Sequence, residues 1–397
     1  MTINKKIIYS VVLVISFAAV FGLGAWIGVS GNVPYCRTVT QPGNINFSLF
    51  WDAYNRLNQQ FIDPSKIDNQ KVLYGAIEGM TKSLGDPYTD FFDPNQAKMF
   101  QQDLAGSFDG IGVEVGIKKD VLTVIAPLKD TPGDKAGLKS GDIITKIDGK
   151  DTTNMTADDA VNLIRGAKGT SVTLTVFREG WNNTKDFKIT RDTINVPSMK
   201  WSLKNNDVAY IQIFQFDEYL GSDFKTAALQ ILQSPAKKIV LDLRGNPGGY
   251  LDQAQEVAGW FLKTGETVTA EDFGKGKEKQ LYKTEGNASL ANYPIVILMD
   301  QGSASASEIL AGALRDNRNV QLIGTKSFGK GSVQQVVGLP GGSFLKITIA
   351  KWLTPKGNSI SEVGLAPDVK VDITDQDISQ KKDPQLDKAL EIIKNLK

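Results

Sequence analysis

Residues 302–335, GSASASEILAGALRDNRNVQLIGTKSFGKGSVQQ, hold the side chains best suited to bond-breaking chemistry. Three serines, Ser303, Ser305 and Ser307, alternate with alanines and are followed by Glu308. Lys330 comes after a short apolar run, flanked by Gly329 and Gly331. The chain contains no histidine, which excludes a Ser–His–Asp triad and leaves a serine nucleophile in need of another base. A lysine serves as that base only when its amine form is populated near neutral pH, which burial among apolar groups favours. Phe328, Val333 and Val336 are the apolar neighbours that could build such a pocket. Even spacing along an extended segment would point Lys330 and Gln334 to one face, where an uncharged carboxamide can orient the amine.

Other readings compete for the same residues. Ser305 and Glu308 satisfy the S-x-x-E capping box at a helix start. GTKSFGKG approaches a phosphate-binding loop, but Gly331 stands where Ser or Thr must reach magnesium, and no helix pattern follows. Ser327 and Lys330 form an S-x-x-K pair, yet the glycines around Lys330 disfavour the helix that pair requires. Short motifs match falsely often enough that spacing alone does not decide among these.

The elements that must position these groups are legible around them. Ala306 to Arg315 carries apolar residues at Ile309, Leu310, Ala313 and Leu314, the pattern of a helix packed on one side. The N–H of Ala306, at that helix N-terminus, is a natural donor to a developing oxyanion. Upstream, DLRGNPGG (residues 242–249) follows an apolar strand, and its glycines would let backbone amides approach a substrate or simply make a strand-to-helix turn. Strands expected at Val208 to Ile213, Lys238 to Leu241, Ile295 to Met299 and Val320 to Ile323 alternate with helices at Ser222 to Leu232, Leu251 to Leu262 and Ala306 to Arg315. That alternation predicts a layered α/β core with parallel strands. Asp192 to Asn206 reads as a link, Phe344 to Lys351 as a β-rich return, and Pro384 to Leu396 as an amphipathic helix and candidate dimer contact.

GSASASEI…D…GT-x-SFGKG-x-VQ, over its whole length, resembles the carboxyl-terminal processing peptidases, or tail-specific proteases. The resemblance implies that Ser305 is the nucleophile, Lys330 the general base and Gln334 its support, with Asp316 structural. It also places an oxyanion glycine in DLRGNPGG, assigned to Gly248 with Gly249 as the near alternative. The core it implies is of the crotonase and Clp-protease type.

The rest of the chain supplies context. At 397 residues with 41% apolar content, the chain should form several globular bodies rather than a disordered one. A formal net charge of +1 with interspersed signs gives no reason to expect nucleic acid, and one cysteine with no histidine gives no reason to expect a metal or a disulfide framework. No cofactor is expected. Ile7 to Val29 is apolar and uncharged, long enough to span a bilayer, with Lys5 and Lys6 before it and no further basic residue until Arg37. A signal anchor with a cytoplasmic N-terminus and the body outside is the expectation, with Cys36 an unpaired thiol beyond it.

Phe47 to Phe61 and Asn69 to Leu84 read as helices, the first with a stripe of Phe50, Trp51, Tyr54 and Leu57 expected to pack on the body. The family resemblance adds homodimerisation through N-terminal helices and identifies GDPYTDFF as an entry motif. From Ser107 to about Thr190 short strands, a glycine loop and a helix from Ala157 to Ile164 look like a PDZ domain. There Gly110, Ile111, Gly112 and Val113 would bind a peptide's terminal carboxylate as the peptide adds as a strand. Arg165 could sense the bound state.

The expected architecture is multidomain α/β. It comprises a membrane anchor and link over residues 1–36, a helical region over 37–106, a PDZ domain over 107–190, and a serine peptidase core over 191–397. The expected function is a membrane-anchored serine endopeptidase acting on proteins with free, apolar C-termini. A catalytically inactive PDZ scaffold and a crotonase-like acyl-CoA enzyme are the competing readings.

Overall fold

A computed structural model describes residues 43–396 except Lys119. The expected anchor at Ile7 to Val29 and Cys36 lie outside the described residues; among those described, no helix is long and apolar enough to cross a membrane. The chain divides into two compact units, residues 1–73 and 74–397.

The described part of the first unit contains helix α1 (Ser48–Gln60) and the beginning of α2 (Asn69–Lys82), which crosses the boundary. Tyr54 Oη donates to Asn69 Oδ1 at 2.6 Å, tying the two together. The predicted stripe on α1 does not become core, because no residue of α1 is buried and Trp51 and Leu57 stand exposed.

The second unit opens with β1 (Asp90–Phe92) and α3 (Pro94–Leu104). Asp93 caps α3 by accepting from the N–H groups of Asn95 and Gln96, and Pro94 occupies the first turn, where its missing N–H costs nothing. Next come β2 (Ser107–Gly110), β3 (Val113–Lys118), β4 (Val121–Pro127), α4 (Pro132–Lys135), β5 (Ile143–Ile147) and β6 (Lys150–Asp151). α5 (Ala157–Ile164), β7 (Ser171–Phe177), β8 (Lys185–Thr190) and β9 (Asp192–Asn195) follow. Strands β3-β4-β5-β7-β8 form one antiparallel sheet around a core that includes Leu122, Val124, Ile144, Leu174 and Val176. Among the described residues β3 pairs only with β4, which leaves its outer edge open. β2 and β9 pair with each other and close this module at its base.

The remaining elements are β10 (Met199–Lys204), β11 (Val208–Ile213), α6 (Leu220–Gln233), β12 (Lys238–Asp242), α7 (Leu251–Ala258), β13 (Thr267–Asp272), β14 (Gln280–Lys283) and β15 (Ile295–Met299). They continue with α8 (Ala306–Arg318), β16 (Gln321–Gly324), β17 (Ser332–Gly338), β18 (Phe344–Leu353), β19 (Val369–Lys370), α9 (Asp375–Ser379) and α10 (Pro384–Asn395). A sheet of order β10-β11-β12-β15-β16-β19 forms the core, parallel from β11 onward. β15, Ile-Val-Ile-Leu-Met, is buried along its whole length, as expected for a parallel strand covered on both faces.

Three differences from the sequence reading matter. The supposed link 192–206 contains β9 and β10, and β10 pairs antiparallel with β11. Helix α8 is not packed on one side: Ala306 through Leu314 are all buried, because small alanines and Gly312 let neighbours close around it. The apolar face of α10 is already used, since Ala389 and Ile393 join Val208, Val240, Val296, Leu298 and Ile323 in a core on the sheet.

A second sheet, β1-β18-β13-β14 with β17 also on β18, was invisible as a unit in sequence. It carries Gln334 and Lys346, and the segment leading into it carries Lys330.

Candidate active site

The three serines of 303–307 have separate fates. Ser303 Oγ is buried and donates to the Leu243 carbonyl at 2.8 Å, and Ser307 Oγ is buried and donates to the Asn246 carbonyl at 3.0 Å. Both hydroxyls are spent on fastening the 242–249 loop to the turn before α8. Ser305, half-buried, instead lines an open cavity of about 370 Å³. Its backbone sits at φ 55°, ψ −116°, a region an L-residue enters at a cost of about 1–3 kcal/mol. The strained elbow lifts one hydroxyl out of a strand-to-helix turn whose neighbours are locked in place.

Glu308 does more than cap a helix. Its fully buried carboxylate accepts from the Ser305 N–H at 2.9 Å, the Ser327 hydroxyl at 2.5 Å, and the N–H groups of Gly329 at 2.8 Å and Lys330 at 3.0 Å. Ser327 Oγ in turn accepts from the Leu365 N–H at 2.7 Å, which ties in the Gly364–Asp368 segment. Burial pushes the Glu308 carboxyl up, while its four donors pull it back. One carboxylate therefore joins the serine turn to the lysine loop. Sequence reading recognised only the capping role, because the Ser327–Lys330 partners lie about twenty residues away.

Lys330 lines the same cavity. Burial, and then the nearby Lys346 ammonium, hold its amine below the ordinary lysine range, opposed by Glu308. Its ammonium forms no ion pair among the described residues. The apolar wall beside it comes from Val333, Trp352, Phe100 and Leu104, with Val336 contributing partly. Phe328 does not take the role proposed for it; it is 57% exposed and outside the cavity.

Gln334 is on the cavity wall, but its carboxamide nitrogen donates to Ser332, to Oγ at 2.6 Å and to the carbonyl at 3.0 Å. No hydrogen bond joins Gln334 to Lys330. Lys330 precedes β17, whereas Ser332 lies on the strand two residues from Gln334 and so on its face. Asp316 accepts from the Lys356 N–H at 3.0 Å, a role in holding a turn.

The 242–249 loop meets the elbow closely. Ala304 N–H donates to the Asn246 carbonyl at 3.0 Å, and Asp300 Oδ1 accepts from the Gly245 N–H at 2.8 Å. Gly248, at φ 99°, lies against the elbow, but its N–H donates to Asn246 Oδ1 at 2.9 Å. That amide is thus engaged within its own loop, and Asn246 must release or share it before an oxyanion can use it. Gly249, bridged to Phe216, also lines the cavity, and Ala306 begins α8 next to Ser305. Arg244 anchors the other side of the loop, donating to Asp242 at 2.7 Å and to Asp383 at the start of α10 at 2.8 Å.

A Cβ on Gly248 would stand 2.7 Å from the Ala304 carbonyl oxygen and from Ser305 Cβ, and 2.9 Å from the Ala306 nitrogen. Two of these contacts are backbone, so Gly248→Ala must move the elbow. The expected result is a loss of at least about 10²-fold in kcat, the scale of a 1 Å misplacement, together with a lower melting temperature by calorimetry.

In the antiparallel module, Gly110 ends β2, and Gly112 turns at φ 68°. Ile111 and Gly112 turn their carbonyls away, accepting from the Gly133 N–H at 2.7 Å and the Leu128 N–H at 2.8 Å. Phe108, Ile111, Val113, Val115, Val161 and Ile164 surround a small apolar cavity between β3 and α5, which Arg165 also lines. The Arg165 guanidinium lies 4.3 Å from the centre of the Phe108 ring and donates to Asp103 of α3 at 2.8 Å. Among the described residues no cluster of His, Cys, Asp and Glu suits a metal ion.

A parallel α/β body with a serine elbow and an appended antiparallel β module defines a class, the PDZ-bearing serine peptidases. Comparison with known proteins identifies the branch. Peptidase family S41 matches residues 207–371, a PDZ domain profile 123–178, and the activating protease CtpB N-terminal domain 37–96. The chain is 39% identical to the carboxy-terminal processing protease CtpA of Bacillus subtilis (strain 168), over 84% of this chain and 70% of that protein. It is 42% identical to a carboxy-terminal-processing protease of Bartonella bacilliformis, over 81% of this chain and 74% of that one. Among solved structures, a photosystem II D1 C-terminal processing protease aligns with TM-score 0.53 at 26% identity, over 82% of this chain and 92% of that one. The chain belongs to the carboxy-terminal processing proteases of Peptidase family S41, and it is a serine-type peptidase with a PDZ domain.

Proposed function

We propose that the chain cleaves proteins by a Ser305–Lys330 mechanism. The observation that carries this reading is the shared cavity: Ser305 on its strained elbow and an ammonium-disfavouring Lys330 face the same space. The Lys330 amine takes the Ser305 proton as Oγ attacks the scissile carbonyl. It then returns that proton to the leaving amine, and water hydrolyses the acyl-enzyme by the same route. With its nitrogen donating to Ser332, Gln334 keeps its carbonyl oxygen to accept from the Lys330 amine. The Ala306 N–H, with that of Gly248 once freed from Asn246, stabilises the oxyanion; Gly249 is the adjacent alternative.

The open edge of β3 and the cavity at Phe108 to Arg165 suit an apolar C-terminus added as a strand at Gly110 to Val113. Arg165, joined to Asp103, then reports the bound state to α3. The anchor at Ile7 to Val29 holds the body on the extracytoplasmic side of a membrane, and the exposed stripe of α1 pairs two copies.

The test incubates the purified protein with an unfolded protein and with the same protein extended by an apolar C-terminal tail, beside Ser305→Ala. The expected result is Ser305-dependent cleavage, several-fold faster for the tailed substrate. Arg165→Glu should abolish that preference. Cleavage that survives Ser305→Ala would overturn the mechanism, and equal rates on both substrates would remove the PDZ role.

A further inference from the structure

The catalytic cavity holds a second amine that the sequence reading did not single out. Lys346, on β18, lines the cavity with Ser305 and Lys330. Its register partners are Val336 on β17 and Asp90 on β1, so both flanks are fixed by strand pairing. Its ammonium nitrogen lies 4.8 Å from the centre of the Phe92 ring and 5.6 Å from that of Phe100, within cation–π range of both faces. It forms no ion pair among the described residues. Two lysines in one cavity repel, and the two ring faces offset part of that cost at Lys346.

The charged surroundings of the two amines differ. Lys330 faces Glu308 from α8 and Lys346 from β18; both oxygens of Glu308 are already occupied by the four donors described above. Burial holds the Lys346 amine below the ordinary lysine range too, and Asp90 from β1 and Asp86 from the preceding turn oppose it in favour of the charged form. Tyr250, from the loop on the opposite wall, stays a neutral phenol because burial pushes its ionisation up. The residues that α3 and β17 add to the wall, Phe100, Leu104, Ser332, Val333, Gln334 and Val336, are uncharged. Lys346 thus has two facing carboxylates and two ring faces to support an ammonium, whereas Lys330 has one carboxylate whose oxygens are already taken.

We propose that Lys346 is a positioning residue for peptide hydrolysis, its ring-stacked ammonium fixing Lys330 as the uncharged base. The inference rests on the Ser305–Lys330 reading. It gives the cavity an internal charge that acts without touching the scissile bond, and it assigns Phe92 and Phe100 the task of holding that charge in place.

The test is the pH dependence of kcat/KM for cleavage of an unfolded protein, measured for the unsubstituted protein, Lys346→Met and Lys346→Arg. Removing the like charge should move the acid limb up by roughly one pH unit, lowering neutral-pH activity about tenfold while the alkaline plateau is kept. Arginine keeps the charge and should keep the limb. A Met variant whose limb does not move, or whose rate falls equally at every pH, overturns the inference while leaving Ser305-dependent cleavage intact. If the Met variant does not fold, Lys346→Gln carries the same expectation. Absence of Ser305-dependent cleavage in the unsubstituted protein instead defeats the underlying mechanism.

Discussion

Lys330→Ala is expected to lower kcat/KM between about 10²- and 10⁴-fold, the contribution of a positioned general base. The reason is that no other group can take its place. The chain has no histidine, Glu308 has both oxygens occupied, and Lys346 is, on the proposal above, kept charged. Lys330→Arg should fail equally, since a guanidinium does not give up its proton in a protein. In the unsubstituted protein, activity should rise with pH as the amine forms, along a limb lying below the ordinary lysine value of 10.5, because burial and Lys346 both disfavour the ammonium. The same depression acts on stability. Between the folded value and 10.5 the unfolded chain binds more protons than the folded one, so stability rises with pH across that window. Lys330→Met should therefore be more stable than the parent at neutral pH, by a margin that shrinks toward alkaline pH in urea titrations. An active site that is more stable without its base is the expected signature of a strained catalytic group. A Met variant that is less stable at pH 7 would argue that Lys330 is a structural lysine.

Glu308→Ala should be the most damaging single change outside Ser305 and Lys330. It strands three backbone N–H groups and the Ser327 hydroxyl in a fully buried place. Each hydrogen bond to a charged acceptor contributes about 1.5–3 kcal/mol, and the four are not additive, so a loss of at least about 3 kcal/mol is expected in urea unfolding. Activity should fall by about 10²-fold or more even where the protein remains folded, because Glu308 sets the distance between the serine turn and the lysine loop. Glu308→Gln separates the two effects. It keeps the volume but turns one acceptor into a donor facing other donors, so it should be folded in the cold, less stable than the parent and poorly active. If Glu308→Gln proved as active as the parent, the clamp would not govern the geometry of the site.

Much of this protein was legible in its sequence for a simple reason: parallel core strands announce themselves. Lys238 to Asp242 and Ile295 to Met299 are near-continuous apolar runs between helical periods, and both became central parallel strands. The missing histidine likewise determined, before any fold was known, that a serine mechanism must use another base. Local signals, including the Ser305–Glu308 pair at a helix start and the glycine turn of residues 242–249, depend on neighbours a few residues apart and were equally readable.

What depended on distant pairing was not. The alternation of serines and alanines gave no means of separating Ser303 and Ser307 from Ser305; their hydroxyls are fixed by carbonyls some sixty positions upstream. Phe328 looked like a wall of the lysine pocket, yet a glycine turn points it to solvent, while Trp352 and Phe100 close the pocket from other elements. Spacing paired Gln334 with Lys330 but could not show that its carboxamide nitrogen donates to Ser332, which leaves the oxygen free of that bond. Lys346 carried no signal, because its significance comes from β18 pairing with both β17 and β1. Residue types and short spacings determined which chemistry was available to this chain. Only the tertiary structure decided which hydroxyl faces the cavity, which carboxylate joins the two halves of the site and which two amines share that cavity, because burial and long-range neighbours set those properties.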